Sequence, residues 1–319
     1  MNSHSVWPHV EPLTDLTNSW SVDETLPKIS IVTPNLNYGH LIEATIRSIL
    51  IQNYPNLEYL ILDGGSTDNS LEVIQKYKDQ ISHIEQDKDL RQYPSINKGF
   101  SKASGEIFGW LNSDDIYLPW TLRTVGLIFK HFPEIDWIIG VPSSIQDGVI
   151  HHVKELKPFP RELIRSGLFH GGEGGVGWIQ QESSFWRRSL WEKAGCLRTD
   201  LRYAADFELW TRFAKFTDLY AVSTLLGGFS NRAGANLSQT NRDRYFAEIK
   251  QVQQELTADP NSSESKWAKN IGRFGKVKGR LGGKLLARRL YSVKKLKGPI
   301  LNWHFGESRY QIVQRSFFG

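Results

Sequence analysis

Between residues 28 and 140 the chain changes its hydrophobic period repeatedly. KISIVTP is a short β-branched run stopped by Pro34, which predicts a strand. In YGHLIEATIRSILIQNY the apolar residues Leu41, Ile42, Ile46, Ile49 and Leu50 recur at helical spacing. NLEYLILDGGSTD is a second apolar run ending in a glycine-rich turn, NSLEVIQKYKDQ a second helix and ISHIEQ a third short strand. SINKGFSKAS predicts a third helix, stopped near Gly105, and EIFGWLNSDD a fourth strand. Strand and helix alternating across short loops predict a mostly parallel sheet with helices on its faces. Beyond about residue 140 the alternation weakens. A glycine-rich stretch, HGGEGGVGW, leads through QQESSFWRR to a helix ending at EKAG. ADFELWTRFAKF then predicts a helix packed through Phe207, Leu209, Trp210 and Phe213.

In open sheets of this kind ligands bind beyond the carboxyl ends of the strands. Three strands end in TPNLN, DGGSTD and NSDD. Those loops are expected to share one crevice lined by Thr33, Asn35, Asp63, Asp114 and Asp115. Asp114 and Asp115 are adjacent carboxylates, which repel each other unless something neutralises them. Oxygen ligands of this kind suit a hard divalent cation, Mn2+ or Mg2+, that bridges to a diphosphate and stabilises its departure. The blander alternative is that Asp115 caps a helix beginning near Leu118. The matching motifs at two other strand ends weigh against it. There is no Gly-x-x-x-x-Gly-Lys-Ser/Thr loop, and no Gly-x-Gly-x-x-Gly follows the first strand.

Composition narrows the setting. A hydrophobic fraction of 39% and a charged fraction of 23% over 319 residues describe an ordinary globular protein. The single cysteine, Cys196, excludes an intramolecular disulfide and a cysteine zinc site. No apolar run is long enough to span a bilayer, and residues 1–27 carry no signal-peptide pattern. The expected compartment is the cytoplasm. The formal charge of +5 is local: Lys266 to Lys297 holds 12 basic residues and no acidic ones, so the rest of the chain is acidic on balance. An amphipathic helix is expected around 284–296. Residues 266–297 would then lie on an anionic membrane surface, peripherally at the inner face of the cell membrane. A basic helix packed on the body is the alternative. Nucleic acid is not an expected partner, because no recognised motif accompanies the charge.

The motifs VTPNLN, DGGSTDNS, INKGF, ASGEIFGWLNSDD and AADFELWTRF, in this order over roughly residues 28–230, resemble the family 2 inverting glycosyltransferases with the GT-A fold, of the non-processive bacterial type. The resemblance implies an α/β, Rossmann-like, mostly parallel sheet with a helical basic C-terminal extension. It implies a nucleotide diphosphate sugar donor, usually a UDP-sugar, and a divalent metal. The acceptor would be a hydroxyl of a saccharide or lipid-linked saccharide, as in cell-surface polysaccharide biosynthesis. It also implies roles. Thr33 and Pro34 would wall the nucleotide, with Asn35 or Asn37 beside it. Asp63 would bond the base, Arg91 approach the donor, and Asn97 and Lys98 floor its pocket. Asp114 would hold the ribose or donor sugar, Asp115 the metal, and Asp206 would be the general base. Glu173, Gln181 and Trp186 are acceptor-binding candidates, and His170 could touch acceptor or metal. Glu208, two residues past Asp206, is expected on another helix face in a structural role.

The organisation expected from this reading is an extension over 1–27 and a nucleotide-sugar-binding half over 28–125. An acceptor-binding half over 126–235 and the basic extension over 236–319 complete it. The chain departs from the family pattern at Ala205, where relatives often carry an acid, and at Pro94, where close relatives carry another. It lacks Gln-x-x-Arg-Trp, which argues against a processive synthase. Two other classes stay open from the sequence. A nucleotidyltransferase would need a basic phosphate loop that TPNLNYGH lacks. A non-catalytic sugar- or lipid-binding module would not need Asp115 and Asp206.

Overall fold

The computed structural model describes residues 25–88, 90–146, 149–172, 175–230, 240–258, 296–304, 307 and 309–317. The expected alternation is present. β1 (Ile29–Asn35), β2 (Leu57–Asp63), β3 (His83–Gln86) and β4 (Ile107–Trp110) are separated by α1 (Ile42–Leu50), α2 (Ser70–Gln75) and α3 (Gln92–Lys102). β5 (Ile116–Tyr117), α4 (Thr121–His131) and β6 (Trp137–Ile139) follow. The next elements are β7 (Ser143–Gln146), β8 (Val149–Val153), α5 (Arg161–Arg165), β9 (Ser184–Arg187) and α6 (Arg188–Ala194). Then come α7 (Ala205–Phe213), β10 (Tyr220–Val222), β11 (Gly227–Ser230), α8 (Arg242–Leu256), β12 (Lys297–His304) and β13 (Arg309–Ser316).

The main sheet has the order β13-β12-β10-β6-β9-β4-β1-β2-β3, and among its described strands only β9 and β13 run against the rest. A smaller sheet, β5-β11-β7-β8, lies beside it. The central strands β1, β4 and β6 are covered on both faces and buried throughout, as the middle of a parallel sheet requires, whereas the edge strands β3 and β13 carry polar, more exposed positions. Alternation sorts their side chains. Ile29, Ile31, Tyr59, Ile61 and Phe185 join the core under α1, α2 and α4. Val32, Leu60, Leu62 and Trp186 join the core under α3, α5, α6, α7 and α8.

The second core is built on indoles. Trp110 of β4 stacks on Trp210 of α7 at 5.9 Å between ring centroids, and Trp137 stacks on Trp210 at 5.2 Å. Trp186 meets Trp110 edge-on at 5.4 Å and lies 5.7 Å from Trp210. Offset and edge-on contacts of this kind add to the apolar area they bury. They also tie the helix carrying Asp206 to the strand that leads to Asp115.

The C-terminal region differs from the helical extension expected of it. α8 is a helix and buries Tyr245, Ile249 and Val252. Residues 297–316 instead form a hairpin, with β12 pairing parallel to β10 through Ala221↔Ile300 and Val222↔Leu301. The basic charge upstream masked a period-two pattern in PILNWH and RYQIVQRS. The amphipathic helix expected around 284–296 lies outside the described residues up to 295, and Leu296 is buried immediately before β12. Among the described residues no helix is long and apolar enough to cross a membrane.

Candidate active site

Because β1, β2 and β4 are parallel neighbours, their carboxyl ends open at one edge, where Asn35 is the register partner of Asp63. Hydrogen bonds knit the first two loops together. Asn35 Nδ2 donates to Asp63 Oδ2 at 2.7 Å and to Ser66 Oγ at 3.1 Å. Asp63 Oδ1 accepts from the Gly65 and Ser66 amides at 3.0 and 2.8 Å, and Ser66 Oγ donates to Asp63 Oδ2 at 2.6 Å. These four donors fill a carboxylate's capacity. Asp63 therefore braces the loop instead of offering a free oxygen to a base. Gly65, at φ 91, supplies the left-handed turn that aims both amides at it. Asn37, itself at positive φ, accepts from the Thr67 amide at 2.8 Å. One acceptor remains: Asn35 Oδ1 is buried with no hydrogen-bond partner among the described residues.

The third loop carries the acidic pair. Ser113 Oγ donates to Pro34 O at 2.7 Å, which joins it to the first loop. Asp115 is 1% exposed. Its Oδ1 accepts from the Ser230 amide at 2.9 Å and its Oδ2 from Asn112 Nδ2 at 3.3 Å. Burial pushes its carboxyl well above the usual carboxylate range, and the Asp114 and Glu182 charges push it further. Glu182 is buried too. Burial raises it to about 7, against a hydrogen bond from Gln180, with Asp114 and Asp206 adding repulsion.

Asp206 lies in the first turn of α7, half-buried. Its Oδ1 is sealed from solvent with no hydrogen-bond partner among the described residues. Burial raises its pKa to about 6; the Phe207 amide and the Tyr93 hydroxyl pull it down, and the Glu248 charge pushes it up. Glu248 of α8 fixes the approach to the helix. Its carboxylate accepts the amides of Arg202, Tyr203 and Ala204 at 2.9, 2.8 and 2.9 Å. It thereby satisfies chain N–H groups just before the helix begins. Glu208 is paired with Arg212 at 2.8 Å, and Arg212 also binds the carbonyls of Ala194, Gly195 and Cys196, so Glu208 is structural as expected.

Four expected contacts are corrected by the geometry. Thr33 is fully buried and its hydroxyl accepts from Tyr59 at 3.1 Å, so it packs inside the sheet and does not line the crevice. Asn97 bridges to Leu197, donating to its carbonyl at 2.8 Å and accepting from its amide at 3.0 Å. Lys98 pairs with Glu85 at 2.7 Å and Asp87 at 2.8 Å. Trp186 is fully buried in the indole core, because QQESSFWRR contains the strand β9, inserted between β4 and β6. Gln181 is buried as well. It donates to Trp110 O at 2.6 Å and accepts from Asn112 at 3.2 Å, which steadies the acidic loop. Arg91 is exposed where α3 begins. Glu173 lies outside the described residues. His170 is buried between the Phe207 and Phe246 rings, and its Nδ1 accepts from the Gly172 amide at 3.2 Å.

Sequence reading missed Glu182, Tyr93, Tyr245 and Glu248. Glu182 alone had a local signal, as a lone charge at the mouth of an apolar strand. Tyr93 sits three residues before INKGF on the same helix, α3, and an aromatic there reads as packing; Tyr245 and Glu248 come from α8, far from the motifs.

An all-oxygen set of crowded, buried carboxylates fits a hard divalent ion. Among the described residues no three His, Cys, Asp or Glu side chains converge into a closed cage. The arrangement therefore suits an ion that takes one or two carboxylates and completes its shell with ligand oxygens.

The mostly parallel sheet flanked by helices is similar to that of GT-A glycosyltransferases. Residues 30–187 match the model for glycosyl transferase family 2, and the chain belongs to that family through this domain. Family 2 enzymes generally use a divalent metal. An uncharacterised glycosyltransferase of Rickettsia typhi is 26% identical over 61% of this chain, and the match spans 61% of that relative's length. The GalNAc(5)-diNAcBac-PP-undecaprenol beta-1,3-glucosyltransferase of Campylobacter jejuni is 33% identical over 31% of this chain and 34% of its own. The fold is similar to residues 1–349 of Staphylococcus aureus TarS in complex with UDP-GlcNAc. There the TM-score is 0.59 at 16% identity, over 76% of this chain and 70% of that one.

Proposed function

We propose that the protein moves a sugar from a nucleotide diphosphate sugar, of the UDP class, to a hydroxyl of a saccharide or lipid-linked saccharide, with inversion. The observation that carries this reading is that buried Glu182 feels the charges of both Asp114 and Asp206, which brings the acidic loop and the first turn of α7 within electrostatic reach of one side chain. Asp115 with Asp114 stands at the donor end, and the upshifted Asp206 with its unpartnered Oδ1 at the other. The undecaprenol-linked acceptor in the name of the Campylobacter relative and the UDP-GlcNAc bound by TarS support the substrate classes.

In this reading the braced loop of Asn35, Asn37 and Asp63, with Pro34 behind it, receives the nucleotide. Asn35 Oδ1 accepts a donor group from it. Arg91 approaches the diphosphate from the start of α3. Asp114 holds the ribose or donor sugar, and Asp115 would ligate Mn2+ or Mg2+. When bound, the ion supplies charge neutralisation for the departing diphosphate. Asp206 takes the proton of the acceptor hydroxyl while that oxygen bonds to the anomeric carbon and the bond to the diphosphate breaks. A single displacement of this kind needs one base and inverts the centre. Residues 28–125 form the donor half and 126–235 the acceptor half. The cationic run at 266–297 would bring the enzyme to anionic lipid.

The test is release of UDP from a panel of UDP-sugars with Mn2+ and with chelator. Release that depends on the metal is the expected result. Absence of both binding and release across UDP-, GDP- and dTDP-sugars would sink the reading. Co-sedimentation with phosphatidylglycerol vesicles, lost on removing the charges at 266–295, tests the membrane contact.

A further inference from the structure

Residues 170–172 and 175–178, together with α8, present an aromatic surface that nothing above uses. Trp178 is 37% exposed, although tryptophan is among the side chains whose exposure costs most. It stacks on Tyr245 with centroids 5.8 Å apart and an interplanar angle of 21°. One indole face is thus backed by a rigid ring. Tyr245 is itself buried; burial raises its hydroxyl pKa, and the Asp206 charge raises it further, so Tyr245 lies within electrostatic reach of the proposed base.

The backbone is shaped to hold the indole in place. Gly171 sits at φ 69, and a Cβ there would overlap the Trp178 ring. The Gly171 amide donates to Gly177 O at 2.9 Å, and His170 pairs with Trp178 as an isolated antiparallel bridge. A loop built to bring glycine backbone against one tryptophan fixes that ring's orientation. It does so while leaving part of the ring in water.

We infer that Trp178 is the stacking platform of an acceptor subsite for a pyranose, which lays its apolar C–H face on the indole. A flat, half-open ring held in one orientation matches the apolar face that a sugar presents along its axial hydrogens. This rests on the proposed glycosyl transfer for the meaning of an acceptor. The stacking itself is testable without transfer.

The probes are methyl β-D-glucopyranoside, methyl β-D-galactopyranoside and methyl N-acetyl-β-D-glucosaminide. Saturation-transfer NMR on the full-length protein reads which sugar protons meet aromatic protons. The expected result is transfer to the axial C–H protons of at least one glycoside. Trp178→Ala should weaken it at least about tenfold and Trp178→Phe by less than about threefold. Asp206→Asn should keep the stacking contact. Binding of UDP with Mn2+, followed by thermal shift, should be unchanged in all three variants, which also shows that they fold. Equal binding by wild type and Trp178→Ala overturns the inference, as does no transfer to any of the three sugars. Failure of UDP-sugar binding with stacking intact would instead overturn only the proposed donor.

Discussion

The proposed donor edge and the proposed acceptor edge are made of different material. At the donor edge nearly every polar atom is spent on a neighbouring loop. Asn35, Asp63, Ser66, Asn37 and Thr67 bond one another, and Ser113 ties the acidic loop to Pro34. At the acceptor edge the contacts are rings on rings and glycine under rings, around His170, Trp178, Tyr245 and Phe246. Directional bonds fix a loop for one ligand shape, whereas aromatic surfaces accept varied sugars. The first edge suits one shared nucleotide and the second a range of sugar acceptors.

The sharpest way to separate the edges is Asp206→Asn. Transfer should fall by about 10²- to 10⁴-fold, the usual worth of a general base, while UDP-sugar binding holds. Loss of binding and transfer together would mean that Asp206 serves the donor edge. Trp186→Ala should break both edges at once, because the indole core joins them. Truncating a buried tryptophan costs about 3–5 kcal/mol, read as a lowered unfolding midpoint in urea. An unchanged midpoint with poorer acceptor use would restore Trp186 to the acceptor site.

Glu248→Ala removes the acceptor of three amides and should cost about 2 kcal/mol, with a lower kcat and an unchanged donor affinity. Its conservative counterpart tests the electrostatics. Asp206 must be ionised to act, so transfer should rise with pH through about 6. Glu248→Gln removes a neighbouring charge and should move that limb downward. Stability runs the other way. A carboxyl whose folded pKa is raised favours the folded state most below its unfolded pKa, and that contribution is lost as pH rises through about 6. Asp206→Asn should therefore flatten this part of the stability profile, measured by urea titration at pH 4 and pH 7. The smallest effect belongs outside both edges. Arg198 pairs with Asp200 and Glu255 at the surface, and Arg198→Ala should cost less than about 1 kcal/mol, shrinking further in high salt.

The two edges were also unequally legible. The donor loops follow directly from strand–helix alternation, since the order of short parallel strands puts Asn35, Asp63 and Asp115 at one end. The acceptor edge depends on α8 and on β9, which enters the sheet from a polar stretch. Ser184, Phe185, Trp186 and Arg187 look like a loop until both faces are known to be covered. The same period-two pattern hid in the β12–β13 hairpin behind a run of lysines and arginines. Roles assigned by motif fared worst where a side chain had a closer partner. Asn97 found Leu197, and Lys98 found two carboxylates. Spacing alone does not show which neighbour a long side chain will reach.

The indole cluster has an optical consequence. Trp110, Trp137, Trp186 and Trp210 lie within 6 Å of a neighbouring ring, close enough for their electronic transitions to couple. Trp110 precedes the acidic loop on β4, and Trp210 lies one turn beyond Asp206 on α7. Any tilt of that helix against that strand changes the coupling, and with it the near-ultraviolet circular dichroism. The protein carries a label-free gauge of the distance between its two acidic sites, readable in solution as substrates are added.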